Sequence, residues 1–285
     1  MSATTIDTIV LVESAPAKLN LALHVRARRA DGYHALETLF AFARDGDVVT
    51  LVLAERDSLS VTGPFAAAIG DDADNLVVRA LAAFRAAFGV KERYAITLDK
   101  RLPVASGIGG GSADAAATLR ALARHHGVAR DDARLDAVAR ALGADVPACL
   151  LGRAALGTGR GDDLVPIAGL GDCPALLVNP LEKVSTAAVF ARWDGVDGGA
   201  IGEGGTLALA LAGRNDLQPA AEAIAPAVRH LLEALGQQAG VILARMSGSG
   251  ATCFALFDGG AARDAAAAAI AARHPAWWQL ATAVA

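Results

Sequence analysis

The chain has 285 residues, 54% hydrophobic and 20% charged, with a formal net charge of −4 and three cysteines. That length carries one large or two ordinary domains around a sizeable core. The acidic balance argues against a nucleic-acid-binding surface, and no apolar run approaches the length of a membrane span. An odd number of cysteines without metal spacing (Cys149, Cys173, Cys253) points to reduced thiols and a cytoplasmic protein.

Met1–Val12 has acidic residues and no basic leader, so it does not read as a signal peptide. Thr8–Val12 reads as a short strand. Ala17–Val25 alternates, with Leu19, Leu21 and Leu23 on one face and Lys18, Asn20 and His24 on the other. Ala30-Asp31-Gly32-Tyr33 is a turn signal. Leu36–Phe42, Asp47–Ala54 and Leu59–Val61 read as further strands. Asn75–Phe88 has helical spacing, with Leu76, Ala80, Ala83 and Ala87 on one face and Gly89 as its stop. Tyr94–Leu98 is a strand that leads into the most informative stretch of the chain.

That stretch is Leu102-Pro103-Val104-Ala105-Ser106-Gly107-Ile108-Gly109-Gly110-Gly111-Ser112-Ala113-Asp114, followed by a helix over about Ala113–Arg124. A glycine-rich loop entering a helix N-terminus offers unpaired N–H groups and the positive end of the macrodipole, an arrangement that binds phosphate. A plain turn is the alternative. The Walker pattern is absent, since no lysine precedes Ser112. The dinucleotide fingerprint fails too, with Ser112 at its third glycine position.

Beyond the loop, Leu135–Leu142 is helical, Gly143-Ala144-Asp145-Val146-Pro147 opens a short segment, and Leu164–Ile167 and Ala175–Asn179 are strands. Asp194–Gly205 reads as an exposed loop. Ala220–Leu235 is helical with a kink or boundary at Pro226. Strands Val241–Met246 and Thr252–Phe257 bracket Ser247-Gly248-Ser249-Gly250, and Ala261–Arg273 is a last helix. Strands and helices mix without strict βαβ alternation, so the fold class is α+β, with a domain boundary near Gly152–Gly159.

Several residues have two readings. Lys18 is either a surface lysine on an exposed face or a cation set against a phosphate or a reacting hydroxyl. Asp145 is either a helix N-cap or a general base. Tyr33-His34 is either a surface pair or a platform that stacks on and hydrogen-bonds a base. Ser247–Gly250 is either a plain hairpin turn or a second set of N–H donors near a phosphate.

Three segments, Pro16-Ala17-Lys18-Leu19-Asn20-Leu21, the Pro103–Asp114 loop and Ser247-Gly248-Ser249-Gly250, resemble in order and separation the three motifs of the GHMP small-molecule kinases. Ala30–His34, Asp74-Asn75-Leu76, Asp99–Pro103, Gly143–Pro147 and Asn215-Asp216-Leu217 bring the resemblance closer to the branch whose substrate is a methylerythritol bearing a cytidine diphosphate. It spans about Ala15 to Phe257. The resemblance implies a two-domain GHMP kinase fold with the site in the cleft. A ribosomal-protein-S5-domain-2-like unit would cover residues 1–156 and a ferredoxin-like unit residues 157–285.

It also implies transfer of the γ-phosphoryl of ATP to the substrate's C2 hydroxyl, with Mg²⁺ arriving on the ATP and no protein metal ligand assigned. Asp145 falls on the catalytic base, Lys18 on its partner, and Asn20 beside the reacting group. Tyr33 and Phe190 fall on aromatic positions that sandwich cytosine, and His34 on the residue that hydrogen-bonds it. Asn75 and Lys100 fall near the adenine nucleotide, and Pro103 to Ala113 on the ATP-binding loop. The implied partners are these two small molecules, with no nucleic acid or membrane, for a monomer or weak homodimer. Two departures stand out: Ala105-Ser106 replaces a common Gly-Ala or Gly-Gly, and Ala113 replaces a common second serine. Another GHMP kinase, of the mevalonate or homoserine type, would share the ATP site without the cytosine clamp. A catalytically silent nucleotide binder would not require both Lys18 and Asp145.

Overall fold

Two long antiparallel strands form the spine of the molecule. In the computed structural model, which describes residues 9–69 and 74–285, β1 (Val10–Arg28) pairs along its length with β2 (His34–Ala54). Thr8, the start of the first expected strand, lies outside the described residues. The sequence reading interrupts each strand, before Ala17 and again around Gly46. Instead, the register shifts between Pro16 and Lys18, and Pro16 lies opposite Gly46. A bulge is where a strand tolerates proline, because the ladder hydrogen bond is already lost there. Gly46 permits the close approach: a Cβ on it would lie 2.7 Å from Pro16 Cα.

The chain continues through β3 (Ser58–Thr62), α1 (Leu76–Phe88), β4 (Arg93–Asp99), α2 (Gly110–His125), α3 (Ala133–Leu142), α4 (Val146–Leu151), β5 (Ala155–Thr158) and β6 (Asp163–Pro166). It then runs through β7 (Cys173–Asn179), α5 (Thr186–Ala191), α6 (Thr206–Ala212), α7 (Gln218–Ile224), α8 (Ala227–Gly236), β8 (Val241–Met246), β9 (Cys253–Phe257), α9 (Gly260–Arg273) and β10 (Trp278–Val284). The strand order β3-β4-β2-β10-β7-β9-β8 is antiparallel except at β3–β4, with β1 and the β5–β6 hairpin also attached through β2. The mixed α+β expectation matches this arrangement. The β2–β10 connection consists of one residue pair, Ala43 with Val284.

The β1–β2 ribbon is buried on both faces, which is why its hydrophobic pattern is nearly continuous. Leu19, Leu21, Leu39 and Ala41 pack with Ala175, Leu177, Phe254 and Leu256 of the second sheet. Phe40, Phe42, Val49 and Leu51 pack with Leu81, Phe84, Leu119 and Leu122 of α1 and α2. A third cluster unites α7, α8 and α9 with the outer side of that sheet, through Leu217, Leu231, Phe257 and Ile270.

Local signals were read with mixed success. Asn75 caps α1 through its side chain, and Gly89 ends it at φ 70°. The buried face is Val77, Ala80, Leu81 and Phe84, rotated from the expected stripe because the larger side chains take the core. The expected Ala220–Leu235 helix divides at Ala225–Pro226 into α7 and α8. α5, α6 and β10 have no counterpart in the sequence reading. Asp194–Gly205 is largely exposed, as expected, but it is tied down. Arg26 Nε donates to Asp197 over 2.8 Å, Arg214 Nη2 to the Gly199 carbonyl over 2.9 Å, and the Ile201 N–H to Glu37 over 2.7 Å. The three cysteines are free, and among the described residues no helix is long and apolar enough to cross a membrane.

One buried ion cluster joins these elements. Lys100 Nζ donates to Asp47 Oδ2 over 2.5 Å and to Asp114 Oδ2 over 2.7 Å. Asp47 Oδ1 accepts from the N–H groups of Arg101 (2.6 Å) and Leu102 (2.8 Å). β2, the strand leading into the glycine loop and the first turns of α2 are thus bound together. Burial pushes the Asp114 carboxyl up, Lys100 draws it down, and the Asp47 charge raises it again, leaving it at about 7. Its Oδ1 is buried without a partner.

Two outcomes follow. Gly46→Ala overpacks the ribbon and lowers stability by about 1–3 kcal/mol, read by denaturant unfolding. Asp114 holds a proton in the folded chain between about pH 4, where an unfolded carboxyl loses it, and about pH 7. Folding then binds protons, so this group makes stability fall as pH rises through that window. Asp114→Asn should therefore gain stability relative to the native chain as pH climbs from 4 to 7; a constant difference would contradict this.

Candidate active site

The glycine run is only partly a loop. α2 begins at Gly110, three residues earlier than expected, so the N–H groups of Gly110, Gly111 and Ser112 form its first turn and have no acceptor within the helix. Gly109 precedes it in the left-handed region at φ 64°. Ala105 adopts φ 52°, so the departure from glycine there leaves a left-handed backbone at a strain of roughly 1 kcal/mol. Ala113 is 1% exposed and packs in the core, so the serine missing there has no bearing on the cavity.

Ser247–Gly250 is more than a hairpin turn. Ser247 Oγ donates to the Gly107 carbonyl over 3.0 Å, and the Thr252 N–H donates to the Ser106 carbonyl over 3.1 Å. Asn215 Nδ2 donates to the Met246 and Gly248 carbonyls, each over 2.8 Å. The two turns interlock so closely that a Cβ on Gly107, at φ 80°, would lie 2.8 Å from the Gly250 carbonyl.

Lys18 is 3% exposed, which removes the surface-lysine reading. Its backbone N–H donates to the Ile108 carbonyl over 2.9 Å, fixing the strand to the loop. Its ammonium donates to Asn20 Oδ1 over 2.8 Å and lies 3.3 Å from Asp145 Oδ2. Asn20 Nδ2 in turn donates to Thr38 Oγ1 over 2.7 Å, and Thr38 donates to the Ala22 carbonyl over 2.9 Å. Asp145 precedes α4, but its side chain caps nothing and is 41% exposed. The N-cap reading therefore gives way to a carboxylate presented beside an ammonium.

These groups open on a cavity of about 840 Å³, lined by Lys18, Asn20, Asp145 and Gly109–Ser112 and also by Tyr33, His34 and Phe190. His34 and Phe190 have ring centroids 4.9 Å apart, and Trp193 meets His34 edge-on at 5.7 Å. Burial, then the charge of Arg28, push the His34 imidazole down, so it is neutral near pH 7. Its Nε2 is buried without a partner. A neutral ring offers one donor and one acceptor.

A second cavity, of about 380 Å³, adjoins the loop and is lined by Asn75, Lys100, Pro103, Val104, Ala105, Gly110 and Gly111. The two cavities share Leu76, Ala105, Gly110 and Gly111. The Lys100 ammonium is engaged by Asp47 and Asp114, as described above. The sequence reading did not single out Thr38, Arg160 or Thr186, which line the large cavity together with Gly248 and Ser249 of the expected second turn. Thr186 and Ser249 hydrogen-bond over 2.9 Å across it. Arg160 carried one signal, a charged residue between two glycines. A hard cation that prefers oxygen ligands, such as Mg²⁺, would find Ser112 and Asp145 in this lining, a set suited to an ion that arrives already bound to phosphates. Among the described residues no group of three or more metal-ligating side chains occurs.

The family models for the GHMP kinases N terminal domain and the GHMP kinases C terminal match residues 75–153 and 199–276. A 4-diphosphocytidyl-2-C-methyl-D-erythritol kinase of Rhizorhabdus wittichii is 55% identical over 94% of this chain and 92% of its own. The crystal structure of a 4-(cytidine 5'-diphospho)-2C-methyl-D-erythritol kinase aligns with TM-score 0.78 and 34% identity, covering 96% of this chain and 98% of that one. A homoserine kinase structure from Cytophaga hutchinsonii aligns with TM-score 0.69 at 19% identity, covering 99% and 97%, a likeness of fold alone. The chain therefore has the two-domain GHMP kinase fold and belongs to the GHMP kinases, in the family of 4-diphosphocytidyl-2-C-methyl-D-erythritol kinases.

Proposed function

We propose that this chain transfers the γ-phosphoryl of ATP to the C2 hydroxyl of 4-diphosphocytidyl-2-C-methyl-D-erythritol, yielding the 2-phosphate and ADP. The observation that carries the reading is one cavity in which the Lys18–Asp145 pair, the α2 N-terminus and the Tyr33–His34–Phe190 group come together. An alcohol is a weak nucleophile near neutral pH, so a carboxylate within reach of its proton assists attack. Asp145 accepts that proton as the hydroxyl oxygen bonds to the γ-phosphorus and the bond to the bridging oxygen of ADP breaks. Lys18 stabilises the charge developing on the attacking oxygen, and Asn20 holds the ammonium in place. The first-turn N–H groups of α2 receive the phosphates. Mg²⁺ bound to ATP would neutralise charge between the phosphates, with Ser112 and Asp145 as the oxygen donors at hand.

The nucleotide base takes the smaller cavity, beside Asn75 and the Pro103–Ala105 segment. Lys100 also lines this cavity, and its ammonium, held by Asp47 and Asp114, supports the loop from beneath. Cytosine stacks against Tyr33 and Phe190, and the neutral His34 ring reads its polar edge, which has both a donor and an acceptor. A mevalonate or homoserine kinase would have no use for this aromatic group, and so the clamp disfavours that reading. We propose a cytoplasmic enzyme, since both of its substrates are small soluble molecules.

ADP release with Mg²⁺-ATP should occur with the cytidylyl substrate and not with mevalonate or homoserine. Turnover of either of those instead would overturn the assignment. Asp145→Asn should lower kcat by about 10²–10⁴-fold with KM within a few-fold, the range for losing a positioned general base. Separately, His34→Ala should raise KM for the cytidylyl substrate at least about tenfold while leaving KM for ATP unchanged, in steady-state kinetics. Equal effects on both substrates would place His34 outside the cytosine site.

A further inference from the structure

Of the side chains that line the large cavity, two carry a fixed positive charge, Lys18 and Arg160. The Lys18 ammonium is engaged by Asn20 and Asp145. A substrate whose cytidine is joined through a diphosphate to its reacting alcohol brings anionic charge into the space between the two ends of the site. Nothing assigned so far meets that charge.

Arg160 lines the cavity together with the residues of both ends. It occupies the turn between β5 and β6, flanked by Gly159 at φ 69° and Gly161 at φ 93°. The Gly161 N–H donates to the Thr158 carbonyl over 2.9 Å and closes the turn, and the Leu36 N–H donates to the Gly159 carbonyl over 2.8 Å and fastens it to β2. Gly161 also lies against Phe40 and Thr38, where a Cβ would sit 3.6 and 3.7 Å from their side chains. β2 runs from His34, in the base-recognising group, to Thr38, which holds Asn20 beside Lys18, about 13 Å along a strand. Leu36 is the midpoint of that run, so the turn meets the strand halfway between the two ends of the site.

The guanidinium lies 5.3 Å from the Tyr33 ring centroid. Its Nη2 donates to Asp162 Oδ2 over 2.6 Å. Nε and Nη1 make no hydrogen bond among the described residues and remain available to an anion. Asp162 is 6% exposed and lies outside the cavity lining, so it aims the guanidinium without occupying the site.

We propose that Arg160 binds the diphosphate of the substrate, setting the distance between the stacked base and the Lys18–Asp145 pair. This rests on the cytidylyl-substrate reading above. The chemistry is a charge-assisted hydrogen bond from a planar cation to phosphate oxygens, for which arginine is suited.

The test is inhibition by CDP and by cytidine, each competing with the cytidylyl substrate at saturating Mg²⁺-ATP. In the native enzyme CDP should bind more tightly than cytidine. Arg160→Leu should weaken CDP at least about tenfold, leave cytidine within about twofold, and leave KM for ATP unchanged. Arg160→Lys should recover part of the CDP affinity. Equal losses for CDP and cytidine would show that Arg160 acts by holding Tyr33, and undiminished CDP binding would show that it has no role; either overturns the proposal while the cytidine site stands. If cytidine fails to compete in the native enzyme, the base-recognition reading falls and this inference with it.

Discussion

The catalytic geometry depends on holding a loop that has few side chains to hold. Glycine gives the Ser106–Gly111 segment the backbone it needs and removes the means of packing it. Order is imposed from outside, by hydrogen bonds to its backbone. The Asp47 carboxylate takes the N–H groups of Arg101 and Leu102 at the entrance. From the second sheet's β8–β9 connection, Ser247 Oγ donates to the Gly107 carbonyl and the Thr252 N–H to the Ser106 carbonyl, and the Lys18 N–H donates to the Ile108 carbonyl. The buried Asp47–Lys100–Asp114 cluster secures the far side. Such a cluster is a poor source of net stability, because its charged groups are desolvated, but removing one member leaves another uncompensated. Its effect here is register: it locks β2 and α2 to one position of the loop.

The β1–β2 ribbon explains how distant segments reach one site. Because it is buried on both faces, helices α1 and α2 pack on one side and the second sheet on the other. Lys18 and Asn20 project from β1 where the glycine loop crosses it. On β2, Thr38 steadies Asn20 and His34 opens the base-binding end. Asp145 and Phe190 then come from elements that pack around the same ribbon. The β1 register shifts on both sides of Lys18 and Asn20, between Pro16 and Lys18 and again between Asn20 and Ala22.

Much of this was legible from residues, and the misses share a cause. The glycine loop, Lys18, Asn20, Asp145 and the two serine–glycine turns are locally distinctive, so motif order alone brought them together. Breaks placed at Pro16 and Gly46 were wrong because a bulge and a close strand contact depend on the partner strand, which local pattern does not contain. The buried face of α1 was rotated because small alanines and large phenylalanine were weighted alike. Lys100 drew a nucleotide role from its position beside the loop. Its two carboxylate partners, Asp47 and Asp114, lie 53 and 14 residues away in sequence, and their convergence is a tertiary fact. Thr38 was invisible for the same reason, and Arg160 showed only its place between two glycines.

The distribution of polar partners separates the site's two tasks. Around Lys18, Asn20 and Thr38 the donors and acceptors pair with one another, giving a preorganised environment that need not rearrange when charge develops on the attacking oxygen. At the other end, His34 Nε2 is buried without a hydrogen-bond partner among the described residues. An unpaired buried polar atom is unfavourable until a partner arrives, and a ligand without the matching group leaves it so. Under the proposed function, discrimination against substrates lacking a base would come from this end, and rate from the Lys18–Asp145 end. The arginine turn lies between them, fastened to the strand that links both, so substrate length as well as chemistry is read by one rigid element.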